Sequence, residues 1–79
     1  MPSTPKKSPS KPDIKIVLGQ QIRKLRVEAG MSQQALSEKC DIFRTYVSRV
    51  ESGEANPTVT VLAAIAAGLN VDIRDLFAD

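Results

Sequence analysis

The residues best suited to specific chemistry lie in one short segment, where arginines and hydroxyl side chains fall on the same side of a helix. At about 100° per residue, the segment 44–52 places five polar residues within about 140° of one another, namely Arg44, Thr45, Ser48, Arg49 and Ser52. The opposite side is apolar, with Tyr46, Val47 and Val50. Arginine forms two hydrogen bonds to guanine, and a threonine methyl group contacts the methyl group of thymine. The segment predicts either a helix that reads DNA bases or an ordinary amphipathic helix with solvated charges.

Charge is distributed unevenly along the 79 residues, although the net charge is only +2. Residues 1–13 carry a net charge of +2, residues 14–49 a net charge of +4, and residues 50–79 a net charge of −4. A basic surface attracts DNA phosphates while an acidic surface faces away from them. The distribution favours a partner that carries phosphates, and the alternative is that scattered lysines only keep the chain in solution.

The composition disfavours an enzyme and a metalloprotein. The chain has no histidine and one cysteine, Cys40, so it cannot form an internal disulfide or a cysteine-based metal cluster. It also lacks a glycine-rich phosphate loop and a clustered carboxylate pair. We predict no catalytic residue, no metal, no cofactor and no small-molecule ligand. Without a signal peptide or the roughly 20 apolar residues that cross a bilayer, a cytoplasmic protein with no membrane partner is expected.

The chain divides into two parts of different composition. Residues 1–13 contain four of the five prolines together with serines and lysines, and we expect this basic tail to be disordered. The tail either adds contacts to DNA phosphates or is a solvated leader. Residues 14–79 are expected to form one domain, because their apolar residues recur at helical spacing and no segment alternates like a strand. The predicted fold class is all-α, a compact domain of five helices.

Capping residues separate the five predicted helices. The expected N-terminal caps are Ser32 and either Thr58 or Thr60, and the expected left-handed residues at C-terminal ends are Gly30 and Asn70. Asp72 is expected to start the last short helix. Helix 1 is predicted from Ile14 to just before Gly30, helix 2 from Gln33 to about Cys40 and helix 3 from about Phe43 to Ser52. Helix 4 contains the apolar residues between Val61 and Leu69. Gly68 lies inside helix 4 at a cost of about 1 kcal/mol relative to alanine, which predicts close packing against a neighbouring element.

Three segments together carry a resemblance to a known family: LGQQIRKLRVEAGMSQ at 18–33, YVSRVESGEANPT at 46–58 and LAAIAAGLNV at 62–71. Over about residues 18–77 the sequence resembles the Cro and phage-repressor family, often called XRE-like. The resemblance implies a lambda-repressor-like domain with a helix-turn-helix at 33–52. It also implies a sequence-specific regulator that binds double-stranded DNA as a homodimer on a two-fold symmetric operator, acting as a repressor or autoregulator. The segment RTYVS at 44–48 is similar to the controller proteins of restriction-modification systems.

The same resemblance implies roles for individual residues. The residues expected to face base edges are Arg44, Thr45, Ser48 and Arg49. The expected phosphate contacts are Ser32, Gln33, Phe43 and Asn56. Arg26 and Glu51 match an ion pair that joins helices 1 and 3. Two placements of Phe43 stay open, because its ring either packs on the end of helix 2 or lies exposed beside the DNA backbone.

Apolar residues near the end of the chain bear on whether it forms a homodimer. Val61, Ile73, Leu76 and Phe77 supply more apolar surface than a small domain needs to bury. Together with the resemblance they predict a homodimer interface, and the alternative is that they complete the monomer core. The competing function is an antitoxin-type interaction module that binds DNA secondarily. Such a module needs an additional segment to hold its target, and we expect none because Asp79 directly follows the last predicted helix.

Overall fold

The computed structural model describes residues 13–78, which form four α-helices and one 3-10 helix. They are α1 (Ile14–Glu28), α2 (Gln33–Cys40), α3 (Arg44–Ser52), α4 (Val59–Leu69) and the 3-10 helix (Ile73–Phe77). No strand occurs within residues 13–78, and the predicted all-α class is confirmed. The last predicted helix is a 3-10 helix, a form that is usual for segments this short. The expected tail lies outside the described residues, except for Asp13, which caps α1.

Side-chain caps begin four of these five helical segments. The capping residues are Asp13, Ser32, Thr58 and Asp72, each accepting a backbone N–H from the first turn. Thr58, not Thr60, therefore caps α4. The exception is α3, which begins at Arg44, one residue later than predicted. Phe43 is its extended N-terminal cap and offers no side-chain hydrogen bond.

Left-handed residues end the α-helices and produce sharp turns between them. Gly30 has φ 73° and Asn70 has φ 60°, as predicted for both positions. Asp41, with φ 58°, ends α2, and the following Ile42 N–H donates to the Ser37 carbonyl at 3.1 Å. Aspartate and asparagine tolerate this conformation better than most residues do. The turn between α2 and α3 is therefore short, and it holds the two helices in contact.

The core lies between all five helical segments. Its fully buried side chains include Ile22, Leu36, Val47, Val50, Ile65 and Leu76. The burial of Leu76, which is 0% exposed, matches the alternative that this residue completes the monomer core. No helix among the described residues has the length and apolar character needed to span a membrane.

Gly68 and Cys40 show how closely α4 approaches α2. A Cβ atom added at Gly68 would lie 2.7 Å from the Cys40 sulfur, so the predicted close packing at Gly68 is confirmed. The Cys40 thiol donates to the Ala64 carbonyl oxygen at 3.3 Å. Burial raises the pKa of this thiol. Cys40 thus remains a protonated core residue that links the two helices.

Gly19 marks an even closer approach, between α1 and α3. A Cβ atom added there would lie 2.7 Å from the Glu51 carbonyl oxygen and would also meet the Val50 carbonyl oxygen. Both oxygens belong to the backbone of α3, so neither moves unless the helix moves. The absence of a side chain at Gly19 therefore sets the distance between the two helices.

Gly19→Ala is expected to lower the free energy of unfolding by about 1 to 3 kcal/mol, the usual cost of overpacking. The sign of the change distinguishes overpacking from helix propensity. On propensity alone, alanine would raise the free energy of unfolding by about 1 kcal/mol. Urea denaturation followed by circular dichroism measures the change. The matched control is Ala63→Gly at an exposed position of α4, which should cost about 1 kcal/mol through helix propensity alone. A Gly19→Ala variant as stable as the parent would contradict the close approach.

Candidate nucleic-acid interface

The outer face of α3 carries the polar residues that the sequence places on one side of the helix. Arg44, Thr45 and Arg49 are exposed, whereas Ser48 is half-buried. On the inner face Val47 and Val50 are buried in the core, and Tyr46 packs against it. The apolar side thus anchors α3 and leaves two arginines and a threonine free to contact a partner.

An ion pair holds α3 against α1. The Arg26 guanidinium donates from Nε to Glu51 Oε2 at 2.6 Å and from Nη2 to Glu51 Oε1 at 3.0 Å. Its Nη1 donates to the Met31 carbonyl oxygen at 2.7 Å. The hydrogen bond to Glu51 raises the pKa of Arg26, against the lowering effect of burial. The two side chains, 11% and 4% exposed, act between helices and are not available to a partner.

Gln33, the first residue of α2, is joined to the same carboxylate. Its side-chain Nε2 donates to Glu51 Oε1 at 3.0 Å. Ser48 and Ser52 line the groove that this side chain shares with Arg26 and Glu51. Glu51 therefore determines where the amide group of Gln33 lies at the edge of the outer surface.

The other three residues expected at phosphates lie on the surface in different surroundings. Ser32 is exposed, and its Oγ accepts from the Ala35 N–H at 3.0 Å, which leaves the hydroxyl hydrogen free to donate. Asn56 is exposed in the loop after α3. Phe43 is 84% exposed, so its ring does not pack on the end of α2. Of the two placements left open for Phe43, the exposed one is observed.

Arg23 joins this surface, although the sequence reasoning did not select it. It is exposed on α1 and lines the groove that also contains Gln33 and Ser48. The spacing of Arg23 and Arg26 could have predicted this placement. The two residues are three apart in the sequence, and such pairs share one face of a helix. Once Arg26 is placed against α3, Arg23 must lie near the outer surface.

Two short helices, joined by a left-handed turn and packed so that the second exposes arginine and hydroxyl side chains, define a helix-turn-helix DNA-binding domain. The helices α2 and α3 span residues 33 to 52, as predicted. The chain belongs to the helix-turn-helix family of DNA-binding transcriptional regulators, whose family model (HTH_3) matches residues 22–76.

Individual relatives refine the comparison. The control protein C.MunI of Mycoplasma sp is 40% identical over 68 residues, covering 85% of this chain and 92% of that protein. The control protein C.BamHI of Bacillus amyloliquefaciens is 35% identical, covering 81% and 80% respectively. The crystal structure of the restriction-modification controller protein C.AhdI from Aeromonas hydrophila superposes with a TM-score of 0.79 at 33% identity, covering 80% of this chain and 96% of that one. The resemblance to controller proteins is thus confirmed.

Glu51→Ala is expected to lower the free energy of unfolding by about 3 kcal/mol, because it leaves the Arg26 guanidinium largely buried without its carboxylate. The double variant Arg26→Met with Glu51→Leu removes both charges and should lose less stability than Glu51→Ala. Urea denaturation compares them.

The control for this comparison is Arg74→Ala, which breaks an ion pair with Asp72 in which the Arg74 side chain is 88% exposed. Exposed pairs contribute little to stability, so the unfolding midpoint should not change. An equal loss in the single and the double variant would show that the stranded charge is not the cause.

Proposed function

We propose that this protein binds a two-fold symmetric DNA operator as a homodimer and controls the transcription of restriction-modification genes as a repressor or autoregulator. The observation that carries the proposal is the outer face of α3, where Arg44, Thr45 and Arg49 are exposed on a helix anchored by buried valines. The similarity to the restriction-modification controller protein C.AhdI supports the choice of target genes. The site of action is the nucleoid in the cytoplasm, and no catalytic step or small-molecule ligand is involved.

Base reading is assigned to α3. In helix-turn-helix proteins the second helix lies in the major groove. There Arg44 and Arg49 each form two hydrogen bonds to a guanine, and the methyl group of Thr45 contacts thymine. The small, half-buried Ser48 lets the backbone of α3 approach the base edges.

Phosphate contacts are assigned to residues that border this face. Ser32 caps α2 and Gln33 is its first residue, and at such a helix start backbone N–H groups and the helix dipole favour an anion. Asn56 supplies an exposed amide after α3, and Arg23 supplies a charge from α1. Such contacts set affinity and orientation on the duplex but carry little sequence information.

The proposed dimer surface lies on α4 and the 3-10 helix, which pack against each other. Phe77 is 52% exposed, and Val61 and Ile73 are half-buried. Val59, at the start of α4, is a further exposed apolar residue that the sequence reasoning did not include. Leu76 lies beneath this surface in the core and supports it without being part of it. A second copy of the chain would cover the exposed apolar groups.

Arg44→Ala and Arg49→Ala are each expected to weaken operator binding by about 1 to 3 kcal/mol and to relax the base preference at one position per half-site. The operator is first selected from random DNA with the full chain. Affinities are then measured for every single-base variant of that operator. The comparison variant is Arg23→Ala, which should weaken binding equally on all sequences and reduce the salt dependence by about one phosphate contact per protomer.

Two results would contradict this assignment. Equal weakening on all sequences by Arg44→Ala and Arg49→Ala would mean that both arginines contact phosphate. A random pool that yields no preferred, two-fold symmetric sequence would reject the operator itself.

Sedimentation equilibrium is expected to show a dimer of this 8.6 kDa chain at micromolar concentration. Phe77→Glu should shift the population toward monomer, because it places a charge in an apolar interface. Phe43→Ala removes a different exposed phenylalanine, which lies before α3, and should leave the dimer intact. A parent chain that stays monomeric at high micromolar concentration, with and without operator, would refute the dimer.

A further inference from the structure

Phe43 contributes little to the folded monomer. The residue is 84% exposed, more than any other large apolar residue within residues 13–78. It lies directly before Arg44, the first residue of α3. Burial of an aromatic ring is one of the larger favourable terms available to a protein. The exposed ring of Phe43 does not make this contribution to the stability of the folded monomer.

With Phe43 at its N-terminal cap, α3 lacks a side-chain hydrogen bond that would stabilise its first turn. At this position serine, threonine, aspartate and asparagine stabilise a helix by accepting a backbone N–H. The other four helical segments described have such a cap, and α3 does not. A residue that breaks a local rule without a gain in folding is typical of a functional position. Phe43 therefore points to a contact made only with a partner.

The residues next to Phe43 indicate which kind of partner its ring contacts. The N-terminal residues of the second helix of such a domain contact base edges, and Phe43 directly precedes them. Phe43 lines one groove together with Arg44 and Thr45 from α3 and with Glu38 and Asp41 from the end of α2 and the turn that follows it. The two carboxylates repel a phosphate, and a phenyl ring has no group that hydrogen-bonds to one. A phosphate contact by Phe43 is thus disfavoured, and contact with a base edge is favoured.

We propose that Phe43 reads a thymine, with its ring against the C5-methyl group in the major groove beside the base read by Arg44. This methyl is the alkyl group that bases present in the groove. The contact removes apolar surface from water on both partners and needs no hydrogen bond. The inference rests on the proposed function, because it requires α3 to lie in the major groove.

Replacement of thymine by deoxyuridine tests this contact, since it removes the methyl group and leaves every hydrogen-bonding group in place. The probe is the duplex of highest affinity that the full chain recovers from a random-sequence pool, resynthesised with each thymine replaced in turn. The parent is expected to lose about fourfold in affinity at the thymine that Phe43 contacts in each half-site, the effect of one buried methyl group. Phe43→Ala should bind the thymine and deoxyuridine duplexes equally at that position. The thymine assigned to Thr45 should respond as well, but Phe43→Ala should keep that second response.

Two further variants separate recognition from folding. Phe43→Ser restores a capping side chain, so it should raise the urea midpoint of unfolding while it abolishes the thymine preference. Arg49→Ala should weaken binding yet keep the fourfold ratio between thymine and deoxyuridine.

The outcomes distinguish this inference from the function on which it rests. If the parent is insensitive to every deoxyuridine, or if Phe43→Ala keeps the parent's ratio between thymine and deoxyuridine at every thymine, Phe43 does not read a methyl group although the operator is still recognised. If Phe43→Ala weakens binding equally on all duplexes, the ring contacts sugar and the inference is overturned. If the pool yields no preferred sequence, the proposed function itself fails.

Discussion

The ion pair between Arg26 and Glu51 joins the three helices that must meet before α3 can present its outer face. Arg26 belongs to α1 and Glu51 to α3, while the carbonyl of Met31 and the amide of Gln33 bring the start of α2 into the same cluster. Removing two charges from water costs several kcal/mol per ion, and their attraction offsets this cost only if the remaining hydrogen-bonding groups also find partners. Within residues 13–78, every buried side-chain N or O atom has a hydrogen-bond partner, and those of this cluster are included.

Close backbone packing complements this polar cluster. Gly19 lets α1 approach the carbonyl groups at the end of α3, and Gly53, with φ 83°, meets Ile16 just beyond that end. A helix that is fixed at its C-terminal turn by backbone contacts cannot rotate about its axis without breaking the ion pair. The directions of Arg44 and Arg49 are therefore set by residues that do not touch DNA in the proposed complex.

Most of the fold could be predicted from the sequence, because the residues that begin and end the helices act locally. Ser32, Gly30 and Asn70 each act within one or two residues of themselves, so a chain segment alone reveals the helix ends. The predicted start of α3, at about Phe43, lies one residue before the observed start at Arg44, because Phe43 has no capping oxygen that marks the helix end. The bond between Gln33 and Glu51 depends on how three helices cross, and no periodicity encodes that crossing. The same reason explains why the inner position of Leu76 could not be separated from a surface position.

The magnitudes explain why the proposed regulator needs two copies of its interface. Two arginines that each discriminate a base pair by about 1 to 3 kcal/mol give one half-site about 2 to 6 kcal/mol of specificity. Specific complexes exceed non-specific ones by about 4 to 10 kcal/mol, so one protomer reaches only the lower part of that range. The basic charge of residues 14–49 adds affinity but no discrimination. A nine-residue α3 offers few further positions. Beyond the thymine contact of Thr45, sequence information is added by an apolar contact at the start of α3 and by a second half-site.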